Sequence, residues 1–419
     1  MTTRADAKME GEVERQLALI REGALEVVTE DDMRAKLRAS LGEARPLRVK
    51  LGLDPTAPDI HLGHTVVLGK LRDFQQLGHE VVFLVGDFTS RIGDPSGWSK
   101  TRPPLSPEEI RANAETYCEQ AFKILDEKKT TIDYNSRWLE PMAFADVIRL
   151  AAKYTVARMI ERDDFAKRLA EGLPIGLHEL LYPLAQAYDS VALEADVELG
   201  GSDQKFNLMV VRDIQREFGQ EPEVAVITPL LVGTDGSRKM SKSLGNYVGV
   251  AEAPEEIYGK LMSVSDELML DYLEILRLRT AEEVAKLKGE IARGRVHPKE
   301  AKMELARRVV ETYYDGAAAR AAGEHFERVH KERLAPEEMP GFHFNFKRER
   351  LENTPVEIMS KSGLVKSKSE ARRLVKQGAV EIDGRRLEEG EGDIPLTFTE
   401  GDSFVIKVGK RRFARVVIE

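Results

Sequence analysis

Two short motifs carry the side chains with the clearest chemical potential, and the first is His61-Leu62-Gly63-His64. Its two imidazoles are three residues apart, so they share one face if a helix begins there. Gly63 has no Cβ and lets a ring or a phosphate approach the backbone closely. The free N–H groups of a helix N-terminus also favour anions. The motif predicts one side of a polyphosphate site, although two surface histidines capping a helix explain this motif alone equally well.

The second motif is Lys239-Met240-Ser241-Lys242-Ser243, which follows the glycine-bearing segment 233–237. Two lysines on such a loop can close over a triphosphate. In-line attack at an α-phosphate builds negative charge on its oxygens and on the leaving pyrophosphate, and lysines stabilise that charge most in the transition state. Five specified residues make a merely solvated basic loop the weaker interpretation. Together the two motifs predict positive charge on both sides of a nucleotide, and cleavage of ATP between its α- and β-phosphates.

The elements around the first motif form a strand, a helix and a second strand. Residues 47–53 are typical of a strand, a helix is predicted from His61 to about Leu77, and residues 80–86 are a nearly continuous apolar run. This βαβ unit predicts a parallel sheet whose ligands lie at the carboxyl ends of its strands. The polar side chains expected at that edge are Asp54, His61, His64 and those from Asp87 onward.

Later segments extend the same α/β pattern. Ser106 and Glu109 predict a capped helix start, mostly helical sequence follows to Tyr188, and residues 196–204 and 224–228 are predicted strands. From Val250 to about Glu332 the pattern is wholly helical. Residues 334–351 have two prolines and little helical period, which predicts a linker. A small α/β module is expected after it.

Composition and charge narrow the class of protein. The 419 residues are too many for one core, no apolar run is long enough to span a bilayer, and the charged N-terminus is not that of a secretory leader. A single cysteine, Cys118, excludes an internal disulfide and favours a cytoplasmic location. The net charge of −9 argues against a nonspecific nucleic-acid binder. Residues 352–419, however, carry 13 Lys and Arg against 12 Asp and Glu, which suggests a separate module with its own partner.

With both motifs present, the chain resembles the class I aminoacyl-tRNA synthetases. Within that class it resembles the bacterial tyrosyl-tRNA synthetases over essentially its whole length. Four further motifs carry this resemblance: Asp54-Pro55-Thr56, Gly93-Asp94-Pro95-Ser96-Gly97, Gln186-Ala187-Tyr188-Asp189 and Gly200-Gly201-Ser202-Asp203-Gln204. The resemblance implies activation of L-tyrosine by ATP, with Mg²⁺ as the ATP counter-ion, and transfer of the tyrosyl group to tyrosine tRNA. It also implies a homodimer, no membrane partner and no metal-ligating residues.

The resemblance assigns site residues in three groups. The catalytic residues would be His61, Gly63, His64, Lys239 and Lys242. The residues around ATP would be Asp54, His61, His64, Gly201, Asp203, Lys239, Met240, Ser241, Lys242 and Ser243, of which Asp54, Gly201 and Asp203 face adenosine. The residues around tyrosine would be Gly52, Thr89, Asp94, Tyr182, Gln186, Asp189 and Gln204, with Thr89, Asp94, Tyr182 and Gln186 at the ammonium group and Gln204 near the carboxyl end.

Tyrosine specificity has a physical argument of its own. Tyr182, Gln186 and Asp189 share one helix face. A buried Asp189 carboxylate would accept a hydrogen bond from a phenol hydroxyl, whereas phenylalanine would leave it desolvated and unpaired. One position departs from the family, because Lys50 replaces a tyrosine that many members place two residues before the glycine at Gly52. Lys50 could bond to the hydroxyl or pair with Asp189.

The terminal module resembles the small RNA-binding domain of the ribosomal-protein-S-four type. Residues 360–376 carry six basic side chains and one acidic, a helix ending at Gly378 is predicted, and Lys410, Arg411, Arg412 and Arg415 could extend the basic surface. Such a surface would bind the phosphates of folded RNA, including tRNA, although an ordinary charged face is the alternative. Tryptophanyl-tRNA synthetases usually lack this module, which favours tyrosine. Met359-Ser360-Lys361-Ser362 repeats four residues of the lysine motif, and we interpret the repeat as coincidence.

The predicted architecture is α/β with three modules. A Rossmann-like parallel-sheet catalytic domain with a helical insertion would occupy residues 1–235, and the lysine motif with an all-helical anticodon-binding region residues 236–335. A linker at 336–351 would lead to the α/β RNA-binding module at 352–419. Two other functions stay open: a different nucleotidyltransferase that shares the His-x-Gly-His motif, and an RNA-binding relative without catalysis. The intact lysine motif disfavours both, and the RNA module also disfavours the first.

Overall fold

The computed structural model describes residues 4–94, 106–331, 340–344, 354–396, 401–409 and 412–418. The chain divides into two compact units, Met1–Ala319 and Arg320–Glu419. Parts of three predicted features lie outside the described residues: positions 95–97 of the glycine-rich motif, Lys410 with Arg411, and most of the predicted linker. No helix of the described ranges is both long and apolar enough to cross a bilayer.

The first unit is built on a six-stranded sheet. Its strands are β1 (Glu26–Val28), β2 (Arg48–Leu53), β3 (Glu80–Val85), β4 (Thr130–Tyr134), β5 (Val197–Gly201) and β6 (Val224–Thr228). The strand order is β1-β6-β5-β2-β3-β4, and all neighbours are parallel except β1 with β6. The order reverses at β2, which lies between β5 and β3, so a ligand crevice is expected at the carboxyl end of β2.

The helices of this unit follow the predicted pattern closely. They are α1 (Arg4–Arg21), α2 (Glu30–Glu43), α3 (Leu62–Gln76), α4 (Thr89–Ile92), α5 (Pro107–Ala121), α6 (Ser136–Leu139), α7 (Phe144–Ala151), α8 (Val156–Met159), α9 (Asp163–Ala170), α10 (Leu177–Leu193), α11 (Lys205–Glu217), α12 (Pro254–Met262), α13 (Asp266–Ile275), α14 (Ala281–Ala292) and α15 (Pro298–Tyr313). α16 (Gly316–Lys331) runs across the boundary between the units. The helix start at Ser106 has the predicted capping box, in which Ser106 Oγ accepts from Glu109 N–H and the Glu109 carboxylate accepts from Ser106 N–H.

Two strands of this sheet were not predicted. β4 interrupts a stretch that the sequence pattern assigned mostly to helix, and β1 is only three residues long. Both are edge strands of the sheet. β4 is half-exposed and has only Ile132 as a strong apolar residue, so it lacks the continuous apolar run that identifies the central strands. Its pairing with β3 across a non-local contact determines it instead.

After α16, the described residues of the second unit form a mixed five-stranded sheet with two short helices. The elements are β7 (Gly341–Phe344), α17 (Pro355–Lys361), α18 (Lys368–Lys376), β8 (Val380–Ile382), β9 (Arg385–Arg386), β10 (Ser403–Val408) and β11 (Arg412–Ile418). The order is β7-β11-β10-β8-β9, with β7 parallel to β11. α17, α18 and β10 bury Ile358, Ala371 and Ile406 in one core. Residues 341–344 are therefore a strand within the predicted linker, because Phe342 packs against that core.

Candidate active site

One cavity of about 830 Å³ opens at the carboxyl edge of the first sheet. All the predicted site residues line it. They come from β2 and the segment after it (Gly52, Asp54), from α3 and its cap (His61, Gly63, His64), from the β3–α4 region (Thr89, Asp94), from α10 (Tyr182, Gln186, Asp189), from the end of β5 (Gly201, Asp203, Gln204) and from the lysine motif (Lys239, Met240, Ser241, Lys242, Ser243). The structure thus brings together side chains that the sequence separates by almost 200 positions.

The two histidines hold each other and the start of α3. His61 is the N-cap, and its Nδ1 accepts from Gly63 N–H at 3.1 Å. His64 Nδ1 accepts from His61 N–H at 3.2 Å, and the two rings stack with centroids 3.8 Å apart. A Cβ at Gly63 would lie 2.9 Å from His61 Cε1, so this position requires glycine for the ring packing as well as for ligand approach.

Both imidazoles are neutral, which corrects the expectation of positive charge at this motif. Burial, with the neighbouring ring and Lys242, lowers the pKa of His61 to about 2, and burial with Lys242 lowers that of His64 to about 3. Since each Nδ1 accepts a backbone N–H, the ring proton of each neutral histidine resides on Nε2. The histidines therefore offer hydrogen-bond donors to a phosphate, and only the lysines offer charge.

The lysine motif forms an ordered loop over the cavity. Asn246 organises it, because its Oδ1 accepts from Ser241 N–H at 2.8 Å and its Nδ2 donates to Lys239 O at 3.2 Å. Met240 is buried, and its N–H donates to Leu231 O at 2.8 Å. These bonds hold the backbone of the motif at Lys239, Met240 and Ser241.

The two lysines of the motif differ in their surroundings. Lys239 Nζ pairs with Asp203 at 2.8 Å. Lys242 Nζ is buried, lies 5.3 Å from the centre of the Tyr117 ring, and has no hydrogen-bond partner among the described residues. Burial lowers the pKa of Lys242 to about 8. Lys242 thus carries a poorly solvated charge that an anionic ligand would stabilise.

A backbone bridge connects the two motifs. Leu62 N–H donates to Val248 O and Val250 N–H donates to Ile60 O, both at 2.9 Å, and His61 pairs with Gly249. The segment that follows the lysine motif is therefore attached to the segment that begins α3. The bridge therefore brings the chain that leaves the lysine motif to the side of the imidazoles.

Asp189 lies at the deep end of the cavity with its carboxylate already bonded. Trp138 Nε1 donates to Asp189 Oδ1 at 2.7 Å, and Asn135 Nδ2 donates to Oδ2 at 3.2 Å. Burial raises the pKa of Asp189 to about 7, although Lys50 and these two donors oppose the increase. A carboxylate oxygen accepts more than one hydrogen bond, so Asp189 can also accept from a ligand hydroxyl.

Asp54 connects two of the residues that were predicted to surround the ammonium group of the substrate. Thr89 Oγ1 donates to Asp54 Oδ1 at 2.7 Å, and Tyr182 OH donates to Oδ2 at 2.9 Å. Burial raises the pKa of Asp54 to about 7. Thr89 Oγ1 also accepts from Asn135 Nδ2 at 3.0 Å. Because both hydroxyl protons point to Asp54, the Tyr182 oxygen and the second lone pair of Thr89 Oγ1 can accept from a ligand N–H.

Lys50 forms its ion pair with Glu198 and not with Asp189. It is fully buried, and its Nζ lies 3.0 Å from Glu198 Oε1 on the neighbouring strand β5. Burial alone would lower the pKa of Lys50, but the adjacent Glu198 carboxylate raises it above its usual value. The Lys50–Glu198 ion pair is therefore a wall of the cavity, and both residues line it.

Sequence reasoning missed several residues that hold the site. They are Asn135, Trp138, Arg162, Glu198 and Asn207, which bond to one or more of the predicted residues. Glu198 had a usable signal, since it is a carboxylate inside an apolar strand. Trp138 had a weaker one, as one of only two tryptophans in the chain. Arg162 had none, because it lies in a helical stretch with many charges.

Comparison with known proteins identifies the family of the chain. The family described as tRNA synthetases class I (W and Y) matches residues 43–331, and the S4 domain family matches residues 356–391. Given that the first match covers more than half of the sequence, the chain belongs to the class I tRNA synthetases. The resemblance to this class and the α/β fold with a terminal S4 domain are both confirmed.

The relatives narrow the family further. The chain is 54% identical over 409 residues to tyrosine–tRNA ligase of Moorella thermoacetica, covering 98% of this chain and 97% of that one. It is 50% identical over 412 residues to the tyrosine–tRNA ligase of Carboxydothermus hydrogenoformans, covering 97% and 99%. Tyrosyl-tRNA synthetase of Archaeoglobus fulgidus, solved with L-tyrosine, superimposes with a TM-score of 0.60 at 27% identity, covering 74% and 99%. The chain belongs to the tyrosine–tRNA ligase family, an enzyme family of ATP-dependent tRNA aminoacylation.

Proposed function

We propose that this one cavity performs both steps of tyrosine–tRNA ligation and that the residues lining it have the roles predicted for them. The tyrosine carboxylate would attack the α-phosphate of ATP, giving tyrosyl-adenylate and pyrophosphate. A ribose hydroxyl at the 3′ end of the tRNA would then take the tyrosyl group. The supporting observation is that a buried acceptor at Asp189 and both phosphate motifs line a single cavity.

The deep end of the cavity would bind the side chain and the ammonium group of tyrosine. Asp189 accepts the phenol hydrogen bond, while Thr89, Asp94, Tyr182 and Gln186 surround the ammonium group. This assignment is supported by the proton directions in the site, because the Thr89 and Tyr182 hydroxyls both donate to Asp54 and so present oxygens outward. Gly52 leaves room beside the ring, and Gln204 lies toward the carboxylate.

The open end of the cavity would bind ATP. His61 and His64 donate through Nε2 to phosphate oxygens, and Lys239 and Lys242 supply the positive charge. Gly201 and Asp203 lie at the carboxyl end of β5, where adenosine is expected. These groups act by position and by charge, so no covalent enzyme intermediate is needed.

Mg²⁺ would enter as the counter-ion of ATP. The triphosphate carries more negative charge than Lys239 and Lys242 can neutralise, since the histidines are uncharged. The metal would reduce the repulsion between the phosphates and assist the departure of pyrophosphate. The residues of this chain would align the α-phosphate with the tyrosine carboxylate.

The rest of the chain would bind tRNA. We retain the division into a catalytic domain at 1–235, an anticodon-binding helical region at 236–335 and an RNA-binding module at 352–419. Of the predicted linker at 336–351, residues 341–344 form β7 and belong to the sheet of the module. The six predicted basic side chains of the module are exposed: Lys361, Lys366, Lys368, Arg372, Arg373 and Lys376. Lys368, Arg372 and Lys376 pair with surface carboxylates. Exposed ion pairs of this kind are weak, so RNA phosphates can replace them.

A homodimer would cover an apolar surface of the first unit. Six large apolar side chains between residues 144 and 177 are exposed: Phe144 by 80%, Leu177 by 81%, and Ile148, Val156, Leu169 and Leu173 by 40–65%. A second copy of this chain is the proposed occupant of this surface. Light scattering should give about twice the 47.0 kDa chain mass, and Phe144→Asp with Leu177→Asp should reduce it to one chain. A monomeric parent protein would exclude the proposal.

We also propose a cytoplasmic location.

Pyrophosphate exchange with tyrosine, tryptophan and phenylalanine tests the reaction directly. Exchange should depend on tyrosine, and neither other amino acid should replace it at equal concentration. Lys242→Ala should reduce the exchange rate while tyrosine still binds. Exchange supported equally by phenylalanine, or unchanged in the variant, would contradict the assigned roles.

A further inference from the structure

A continuous chain of hydrogen bonds runs along the wall of the tyrosine end. We call it the amide relay, and its members come from five different elements or loops. Its bonds are Arg162 Nη1 to Asn207 Oδ1 (3.2 Å), Asn207 Nδ2 to Gln186 Oε1 (3.0 Å), Gln186 Nε2 to Glu198 Oε1 (3.1 Å) and Lys50 Nζ to Glu198 Oε1 (3.0 Å). Gln186 is half-buried and faces the cavity, whereas the other four members are buried.

One end of the relay fixes the direction of its bonds. Arg162 can only donate, so the Asn207 atom that faces it must be the oxygen. The Asn207 amide nitrogen then faces Gln186, and the atom of Gln186 that receives this bond must also be an oxygen. Arg162 Nη2 also donates to Asp94 Oδ1 at 3.3 Å. The same guanidinium therefore contacts a second residue that is predicted to surround the ammonium group of tyrosine.

The other end of the relay imposes the same direction. Glu198 forms an ion pair with Lys50 and presents a carboxylate oxygen, so the nitrogen of the Gln186 amide must face it. Lys50 and Glu198 are register partners on the adjacent strands β2 and β5. Ser190 Oγ also donates to Glu198 at 3.4 Å. Burial and the neighbouring Glu198 raise the pKa of Glu223 well above its usual value, so Glu223 adds no competing charge.

We propose that the amide relay is a positioning device that fixes the Gln186 side chain with Oε1 toward the ammonium group of bound tyrosine. Oε1 uses one lone pair for Asn207 and keeps the other for the ligand. Reversing the amide would place an N–H₂ group against the ammonium. This inference rests on the proposed function, because it specifies how one ammonium ligand of that site is oriented.

The buried ion pair of the relay costs desolvation free energy, and orientation of the Gln186 amide would explain why it is present. A buried ion pair such as Lys50–Glu198 is seldom more stable than an apolar replacement of the same volume, since both charges lose their hydration. A half-buried amide with ambivalent neighbours would be free to rotate. A donor-only group at one end and an acceptor-only group at the other leave one orientation.

The test reverses the relay and compares two ligands. Asn207→Asp keeps a partner for Arg162 but presents an acceptor to Gln186. The triple variant Asn207→Asp/Lys50→Met/Glu198→Gln reverses both side-chain bonds of Gln186 and removes the Lys50 ammonium, which would otherwise face an uncharged amide. It leaves no unpaired charge between residues 50 and 198, so it serves as the second variant if the single variant does not fold. The ligands are tyrosine and 3-(4-hydroxyphenyl)propanoate, which has the phenol and the carboxylate but no ammonium group. Their dissociation constants are measured by titration calorimetry.

Both variants should bind tyrosine about 10- to 100-fold more weakly, the value of one hydrogen bond to a charged group. Binding of the analogue without the ammonium should change by less than about 3-fold. Lys36→Met is the matched control, because Lys36 is also buried and pairs with carboxylates (Asp196 at 3.7 Å), and it is not among the residues that line the described cavity. It should leave both constants unchanged.

Equal weakening of both ligands would mean that the relay only supports the fold, and unchanged tyrosine binding would mean that the orientation of Gln186 is irrelevant. Either result overturns the proposal. The parent enzyme separates this test from the larger one. If it shows no tyrosine-dependent pyrophosphate exchange, the proposed function fails. If the parent enzyme shows this exchange, and the variants lose no affinity for tyrosine relative to the analogue without the ammonium group, only the proposal for the relay fails.

Discussion

Replacing Lys242 with methionine should make the protein more stable and nearly inactive. Methionine retains the apolar stem but removes an ammonium group that is buried and, among the described residues, has no hydrogen-bond partner. The pKa of Lys242 is about 8 instead of 10.5. A shift of this size corresponds to about 3 kcal/mol, which partial solvent access reduces to about 1–2 kcal/mol. Lys242→Met should therefore raise the free energy of unfolding by about 1–2 kcal/mol at pH 7.

The increase in the free energy of unfolding of Lys242→Met should be largest at low pH and should decrease as pH rises. The folded state binds the Lys242 proton more weakly than the unfolded state does, so the penalty is fully present below pH 8. It disappears as pH rises from about 8 to 10.5, because the unfolded lysine then also loses its proton. Urea unfolding at pH 7 and at pH 10 should show the advantage of the variant at the lower pH only.

Activity should change in the opposite direction. Removing one preorganised donor to charge that develops in the transition state typically costs about 10²–10³-fold in rate. Stopped-flow measurement of tyrosyl-adenylate formation should show this loss, with tyrosine affinity nearly unchanged. Lys239→Met is the control, because Lys239 is half-exposed and already pairs with Asp203. It should lose activity and about 0–1 kcal/mol of stability. A less stable Lys242→Met protein, or a rate loss below about 10-fold, would refute the reasoning.

Three further predictions concern the tyrosine end and the terminal module. The kcat/KM for tyrosine should rise as pH increases through about 7, where Asp189 ionises, and Trp138→Phe should move this midpoint to higher pH because it removes a donor that lowers the pKa of Asp189. Asp189→Asn should reduce kcat/KM for tyrosine by about 10- to 100-fold and that for phenylalanine much less, as measured by pyrophosphate exchange. Truncation after residue 351 should reduce tRNA charging at least about 10-fold but leave tyrosyl-adenylate formation intact.

Each of these predictions has a result that contradicts it. A pH profile that is flat between 6 and 8 would exclude Asp189 as an acceptor that titrates near 7, and Asp54→Asn separates the second carboxyl of similar pKa. Equal losses for tyrosine and phenylalanine in Asp189→Asn would indicate general damage to the pocket. Equal loss of adenylate formation and tRNA charging after truncation would show that the module supports the fold of the first unit.

The sequence predicted the site best where the determinants are local. His61 and His64 share a helix face because they are three residues apart, and the helix with Tyr182, Gln186 and Asp189 follows the same rule. The central strands were predictable because they are buried on both faces and therefore continuously apolar. The protonation of the histidines was not predictable, because it depends on burial beneath a loop that lies almost 180 residues further along the chain.

The missed features depend on distant partners. Lys50 was expected to bond to the substrate hydroxyl or to pair with Asp189. The sheet places Glu198 directly opposite it, and this pairing depends on a strand order that cannot be obtained from either residue alone. Arg162 lies in a charged helical segment, and only the packing of α11 against α10 brings Asn207 between it and Gln186. β4 was missed since an edge strand needs few apolar residues.

The backbone bridge between residues 60–62 and 248–250 also determines when the site can form during synthesis. It closes a loop of about 190 residues, the span from Ile60 to Val250, and contacts of such separation form late and slowly. A growing chain that ends before Val250 has the imidazoles but lacks the contact that brings the lysine motif to them. Competence for ATP cleavage therefore requires synthesis through Val250, and a shorter chain has no assembled site in which ATP could be hydrolysed wastefully.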